Sequence, residues 1–177
     1  MILNSCSRVC YPDRFADEER RVELEGEGYF RVYHNEKQPF IVNTRHFDVR
    51  VLGTCFNVKS YSSDEVVSVD VESGKVQVDL PEAMMRLRAK EQILINTVSG
   101  EYNKRHEERA VAVWRRGSLR FNSTPIRDVA KELERSYNVK IHIANDSLKT
   151  FRFYGNFVRR EQNIQEVLEA LASTEKM

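Results

Sequence analysis

From Arg21 to about Tyr102 the chain alternates apolar and polar residues with a period of two, and that pattern leaves few folds open to it. Period two places every second side chain on one face of an extended segment, so it marks strands with a single buried side. Val22, Leu24, Gly26, Gly28, Phe30 and Val32 fall on one face, while Arg21, Glu23, Glu25, Glu27 and Arg31 take the other. Gly26 and Gly28 leave a gap in the inner row, where another strand can approach closely or a bulge can form. His34 to Pro39 is polar and ends in a residue that cannot donate a ladder bond, which predicts a turn. Phe40 to Thr44, Phe47 to Leu52 and Cys55 to Tyr61 read as the next strands, broken at Gly53-Thr54 and at Ser62-Ser63-Asp64. Val67, Val69 and Val71 are expected to pair with Val76, Val78 and Leu80 in a hairpin across Glu72-Ser73-Gly74-Lys75, where Gly74 can take positive φ. Pro81 to Lys90 reads either as a helical turn through Ala83, Met84, Met85 and Leu87 or as a mobile loop. Gln92 to Asn96 and a short piece around Tyr102 complete this part.

The run Lys104 to Arg109 is wholly charged or His, and the period changes after it. The chain therefore divides into an all-β domain, 1–112, and a small α/β domain, 113–177. Leu119 and Phe121 alternate with Arg120 and Asn122 in a strand, and Thr124-Pro125 predicts an N-cap with proline at the first helical position. Ile126, Val129, Ala130, Leu133 and Tyr137 recur at helical spacing, with Asn138 suited to the exit. Val139, Ile141 and Ile143 return to period two. Phe151, Phe153, Gly155 and Phe157 form another strand, and Asn163 with Glu166 three residues on predicts a capping box before Ile164, Val167, Leu168 and Leu171. The expected fold is mainly β: a stacked sheet or short solenoid, followed by a βαβ-type domain with helices on one face. A closing strand is expected after the second helix and Asn4 to Tyr11 resembles half a strand pair, so the expectation is a chain truncated at its last strand. That cut edge either accepts a partner's strand or is completed by the rest of the gene.

Composition narrows the function classes. The 28 Lys and Arg residues are interleaved with 27 Asp and Glu, for a net charge of +1, so no basic stripe points to nucleic acid. No stretch approaches the ~20 consecutive apolar residues that span a bilayer. Cys6, Cys10 and Cys55 lack metal-type spacing; they are expected as buried free thiols, with a Cys10–Cys55 or Cys6–Cys10 disulfide as the alternative.

Catalytic signatures are missing: there is no G-x-S-x-G elbow, no phosphate-binding Gly-rich loop and no H-E-x-x-H. No enzymatic activity, cofactor or metal is expected. Gly26-Glu27-Gly28 lies inside a strand with no helix after it, so it is not a dinucleotide fingerprint. His34, His46, His106 and His142 are scattered and read as solvated side chains. Glu23, Glu25 and Glu27 either bind a cation or form an exposed acidic face paired with Arg21 and Arg31. Trp114 with Arg115 and Arg116 reads as an anchor at the domain junction or as a stacking platform.

Several of these stretches together resemble FecR-like anti-sigma factors. They are Leu24-Glu25-Gly26-Glu27-Gly28-Tyr29-Phe30, then Pro39-Phe40-Ile41-Val42, then Val51-Leu52-Gly53-Thr54-Cys55-Phe56-Asn57-Val58. Val71-Glu72-Ser73-Gly74-Lys75-Val76 is similar to the family's V-x-x-G-x-V hairpin, and Trp114 to Phe121 to its W-x-x-G-x-L-x-F link. Val129 to Val139 with Tyr154-Gly155-Asn156-Phe157 resembles the small C-terminal domain of Bacteroidetes-type members, akin to the short secretin and TonB-receptor signalling domain. Ala89-Lys90-Glu91-Gln92 departs from the family's Pro-Gly-Glu-Gln. Gly26, Glu27, Phe30, Gly53, Phe56, Asn57, Gly74 and Trp114 are thereby marked as structural motif positions.

The resemblance implies a regulator that crosses the inner membrane, binds an extracytoplasmic-function sigma factor through a cytoplasmic segment, and senses a TonB-dependent outer-membrane receptor in the periplasm. The sigma-binding segment and transmembrane helix are not in this sequence, so the implied role is the periplasmic sensing portion, with the receptor's signalling domain as partner. Leu119 to Asn122 and Phe151 to Phe157 form the expected docking sheet, with Leu119, Phe121, Phe151, Phe153 and Phe157 as the expected partner-binding residues. The competing reading is a carbohydrate- or solute-binding β module, which calls for exposed aromatics on a concave face.

Overall fold

Strand β3 (Arg20–Arg31) organises the first of two units, Met1–Ala112 and Val113–Met177. The computed structural model describes residues 1–144, 148 and 151–174. Two short strands precede β3, namely β1 (Ile2–Leu3) and β2 (Arg8–Cys10). After it come β4 (Phe40–Asn43), β5 (Asp48–Val51), β6 (Cys55–Ser60), β7 (Val66–Ser73), β8 (Lys75–Asp79), β9 (Met84–Arg88), β10 (Glu91–Asn96) and β11 (Tyr102–His106). They pair in the order β11-β10-β7-β6-β3-β4-β5-β8-β9, with β1 and β2 also on β3.

The sheet curls because β3 changes partners part-way along. Arg20 to Glu23 pair with β4, whereas Gly26 to Arg31 pair with β6. At the change Gly26 takes φ +104, and a Cβ there would lie 2.4 Å from the Ser7 Oγ. Only a residue without a side chain fits both the left-handed backbone and the approach of the N-terminal segment. The two halves close over one core: Val22, Leu24, Val42, Val49 and Val78 come from one side, Phe30, Phe56, Val58, Val69 and Ile93 from the other. Phe30 stacks on Phe56 with ring centroids 5.3 Å apart.

The remaining strands are laid down as hairpins that alternate between the halves. β4–β5 and β8–β9 join one side, β6–β7 and β10–β11 the other. The hairpin expected between Val67–Val71 and Val76–Leu80 is therefore corrected: β7 pairs with β6 and β10, and β8 with β5 and β9. Gly74, at φ +88, turns the chain from one half to the other instead of folding it back beside itself. The valines meet across the core, where Val67, Val69, Val71, Val76 and Val78 are at most 2% exposed. Pro81 to Lys90 is neither helix nor loop but contains β9, with Leu87 buried and Lys90 at φ +66 carrying the chain across to β10. Asn4 to Tyr11 has its partner within the chain, because β1 and β2 both pair with β3. All three cysteines are free thiols; Cys6 and Cys10 are exposed rather than buried, and Cys55 is partly exposed.

In the second unit a 3-10 turn (Val113–Arg116) carries Trp114 and leads to β12 (Ser118–Pro125), α1 (Ile126–Tyr137), β13 (Arg152–Val158) and α2 (Ile164–Thr174). β12 and β13 pair antiparallel, Leu119 opposite Phe157 and Phe121 opposite Gly155, with a bulge at Ser123, which takes φ +54. Val129 and Leu133 of α1 and Val167 of α2 pack on Leu119, Phe121, Phe153 and Phe157, so both helices cover the same face of the pair.

Three local expectations change here. Thr124 does not cap α1; it lies in β12, and its hydroxyl accepts the Asn122 N–H across the bulge at 3.2 Å. Val139, Ile141 and Ile143 form no strand, because the Ile141 N–H is taken at 2.8 Å by the Glu134 carboxylate of α1. Among the described residues the order is thus strand, helix, strand, helix, with β12 and β13 antiparallel rather than the parallel pair of a βαβ crossover. Two cap signals hold: Asn138 ends α1 in the left-handed conformation, and Asn163 and Glu166 exchange backbone and side-chain bonds at 2.8 and 3.1 Å.

The glycine corners give a graded test. Gly26→Ala should lower the unfolding free energy by about 3 kcal/mol, since strain at positive φ and overpacking against Ser7 act together. Gly100→Ala, at φ +74 with nothing within 4 Å of the added carbon, should cost about 1 kcal/mol. Urea denaturation of the two variants measures the difference.

Candidate functional site

The motif positions around Gly26 converge on a buried brace. Glu27 is 5% exposed and sits on the outer face of β3. Its carboxylate accepts hydrogen bonds from Asn4 Nδ2 at 2.7 Å and Asn57 Nδ2 at 2.8 Å. The Glu27 backbone N–H donates to Ser7 Oγ at 2.8 Å, and its carbonyl accepts from the Asn4 N–H at 2.9 Å. One residue thus ties the N-terminal segment to β3 and β6, and a carboxyl group can be buried here because each of its oxygens accepts a hydrogen bond. The expectation of Glu23, Glu25 and Glu27 as one exposed acidic face is corrected. Glu25 pairs with Arg8 at the surface, Glu27 is interior, and Arg21 pairs with Glu19 and Asp48.

Gly53 and Gly74 meet at a neighbouring corner. A Cβ on Gly53 would lie 2.5 Å from the His34 Cα, and one on Gly74 2.8 Å from the Thr54 Oγ1. The Thr54 hydroxyl donates to the Lys75 carbonyl at 2.8 Å and locks the turn. Gly26, Glu27, Phe30, Gly53, Phe56, Asn57 and Gly74 all shape the scaffold, and Trp114 lies half-buried in its 3-10 turn.

A polar row crosses the same outer face, placing Tyr29, Asn57, Asp70, Gln92 and Arg105 directly opposite one another on β3, β6, β7, β10 and β11. Tyr29 donates to Glu72, and burial pushes its hydroxyl up to about 12. Asp70 accepts from Gln92 and from Ser68 Oγ, while Arg105 Nε donates to Gln92 Oε1 at 2.7 Å. Burial raises the Asp70 pKa to about 6, against the lowering pull of those hydrogen bonds and of Arg105. His34, His106 and His142 are exposed, but His46 is half-buried: burial and Arg45 hold its pKa down, and its Nε2 has no hydrogen-bond partner among the described residues.

A groove of about 320 Å³ opens where β3 changes partners, lined by Arg8, Glu23, Asn43, Arg45 and Ser60 among others. Its lining holds no aromatic ring, so it lacks the stacking surface that the carbohydrate reading requires.

In the second unit the expected docking side chains are interior. Leu119, Phe121, Phe153 and Phe157 are 4–6% exposed beneath the helices, and Phe151 is partly buried. They hold the unit together, and the two strands that carry them are left to offer a partner their edges and their other face. The opposite face presents Arg120, Asn122, Arg152, Tyr154 and Asn156, all exposed. All five lie within the segments 119–122 and 151–157 that the sequence marks as the docking sheet, and the alternation that buries their neighbours points them outward.

Residues 1–77 match the family model described as FecR protein, and residues 118–177 the one described as FecR, C-terminal. A structural match settles the assignment: a crystal structure at 1.65 Å of a "putative anti-sigma factor" from Parabacteroides distasonis ATCC 8503 is 41% identical, with a TM-score of 0.90 over 97% of this chain and 81% of that one. The chain belongs to the FecR family. A second crystal structure with the same description, at 2.50 Å, gives the same identity and TM-score over 97% of this FecR-family chain and 80% of its own. No curated protein matches the sequence.

Two measurements follow from the FecR-family scaffold. Glu27→Ala should destabilise the fold by about 3 kcal/mol, because it takes the carboxylate partner from two amides at once, as read from the denaturation midpoint. Asp70 supplies a pH signature. Its folded pKa lies above the ordinary value, so the fold favours the protonated form; its contribution is fullest below about pH 4 and is lost as pH rises to about 6. Asp70→Asn should remove this fall, so the stability of the variant relative to the parent chain should climb between pH 4 and 6 in thermal melts.

Proposed function

We propose that this chain is the periplasmic sensing portion of a FecR-like anti-sigma regulator, relaying the state of a TonB-dependent outer-membrane receptor toward an extracytoplasmic-function sigma factor. The observation that carries the reading is the 41% identity, over nearly the whole chain, to a protein described as an anti-sigma factor. The family is regulatory, and its members place their sensing parts in the periplasm. No helix among the described residues is long and apolar enough to cross a membrane.

In this reading the second unit receives the receptor's signalling domain and the β unit passes the change toward the membrane. Among the described residues the β12–β13 pair has no third strand, so each strand keeps one edge and the pair keeps one face for a partner. A relay needs two states that the receptor binds unequally. The sigma factor meets the regulator through a cytoplasmic segment outside this sequence, and the chemistry is binding rather than catalysis.

Calorimetric titration of this chain with the periplasmic signalling domain of its cognate TonB-dependent receptor should give saturable binding. Absence of binding heat and of any shift in a parallel pull-down would overturn the proposal.

A further inference from the structure

The alternation of β12 and β13 sorts their side chains by charge as well as by polarity. Both helices pack on the face bearing Leu119, Phe121, Phe153 and Phe157. The other face carries Arg120 and Asn122 on β12, and Arg152, Tyr154 and Asn156 on β13. Arg120 stands directly opposite Asn156, and Tyr154 lies on the neighbouring diagonal, so these groups form one continuous patch.

Neither strand contains an Asp or Glu. Asp128, Glu132 and Glu134 lie instead on α1, Glu166 and Glu169 on α2, and Glu161 in the turn after β13. The uncovered sheet face is therefore basic. Tyr154 is 64% exposed in the middle of a strand, where a core-facing aromatic would be buried. Arg152 spends one N–H on the Ser123 carbonyl at 2.7 Å, which ties the exposed side chain to the neighbouring strand. Exposed Tyr flanked by Arg is the composition that dominates binding energy at protein interfaces, because both bring large contact area and directed donors.

We propose that this face is a docking surface for an acidic patch on the receptor's signalling domain, with Arg120 and Arg152 meeting carboxylates and Tyr154 packing between them. The inference rests on the receptor reading above and adds the residues and the charge of the partner surface. Guanidinium–carboxylate pairs formed across the contact make association sensitive to ionic strength.

The test titrates the receptor's signalling domain against the full chain, the double variant Arg120→Glu/Arg152→Glu, the neutral double variant Arg120→Gln/Arg152→Gln, and Arg14→Glu as an exposed charge reversal on the other unit. The expected result is an affinity loss of at least about tenfold for the Glu pair, a smaller loss for the Gln pair, and none for Arg14→Glu. Raising the salt should weaken the parent chain more than the Gln pair. Binding of the parent chain with unchanged affinity in both double variants overturns this inference and leaves the receptor reading standing. No binding by the parent chain overturns both. Circular dichroism and melting of each variant establish that the fold is intact, which these exposed positions should permit.

Discussion

Everything in the first unit depends on one strand being allowed to bend. β3 supplies the N-terminal half of its length to one side of the sandwich and the C-terminal half to the other, and the change occurs at Gly26. A side chain there would collide with Ser7 and resist the positive φ, so the bend, the seating of the N-terminal segment and the shared core are one constraint. Glu27 follows immediately and secures the geometry that Gly26 permits. Its two oxygens collect amides from residues 23 and 30 positions away in sequence. Placing a buried carboxyl group beside the bend makes the arrangement selective, since any slip of β3 leaves it or the amides unsatisfied.

Periodicity reveals which side chains go inward but not which strands become neighbours. The alternation of Val67, Val69 and Val71 with Val76, Val78 and Leu80 is satisfied equally by a flat hairpin and by two walls facing each other, and Gly74 decides between them by turning across the core. β9 is hidden for a different reason: Met84, Met85 and Leu87 are good helix formers, and only Leu87 is deeply buried, so the alternation is too short to be decisive. Val139 to Ile143 shows the reverse failure, with a strand-like pattern whose central N–H is captured by Glu134. The caps at Asn138 and Asn163 are legible because they involve residues within a few positions of one another.

The same distinction separates the legible from the hidden parts of the site. Family motifs draw attention to Gly26, Glu27, Gly53 and Gly74, and these hold corners of the fold together. The docking residues expected from the sequence are nearly all aromatic, and that is why they are interior: in a unit this small, Phe121, Phe153 and Phe157 supply much of the core, their rings 5.7 to 6.2 Å apart. The residues between them are exposed, as alternation with helices on one face requires.

The alternating hairpins carry an implication for how the first unit assembles. Each pair is local in sequence and can form within microseconds, but no two successive pairs are neighbours in the same half. A nascent chain can seat β4–β5 and β6–β7 on the two halves of β3, but β8–β9 and β10–β11 reach β5 and β7 only past an intervening ribbon of the other wall. Closure is a late, long-range event, and its slowest step is bringing separated ribbons edge to edge across intervening chain.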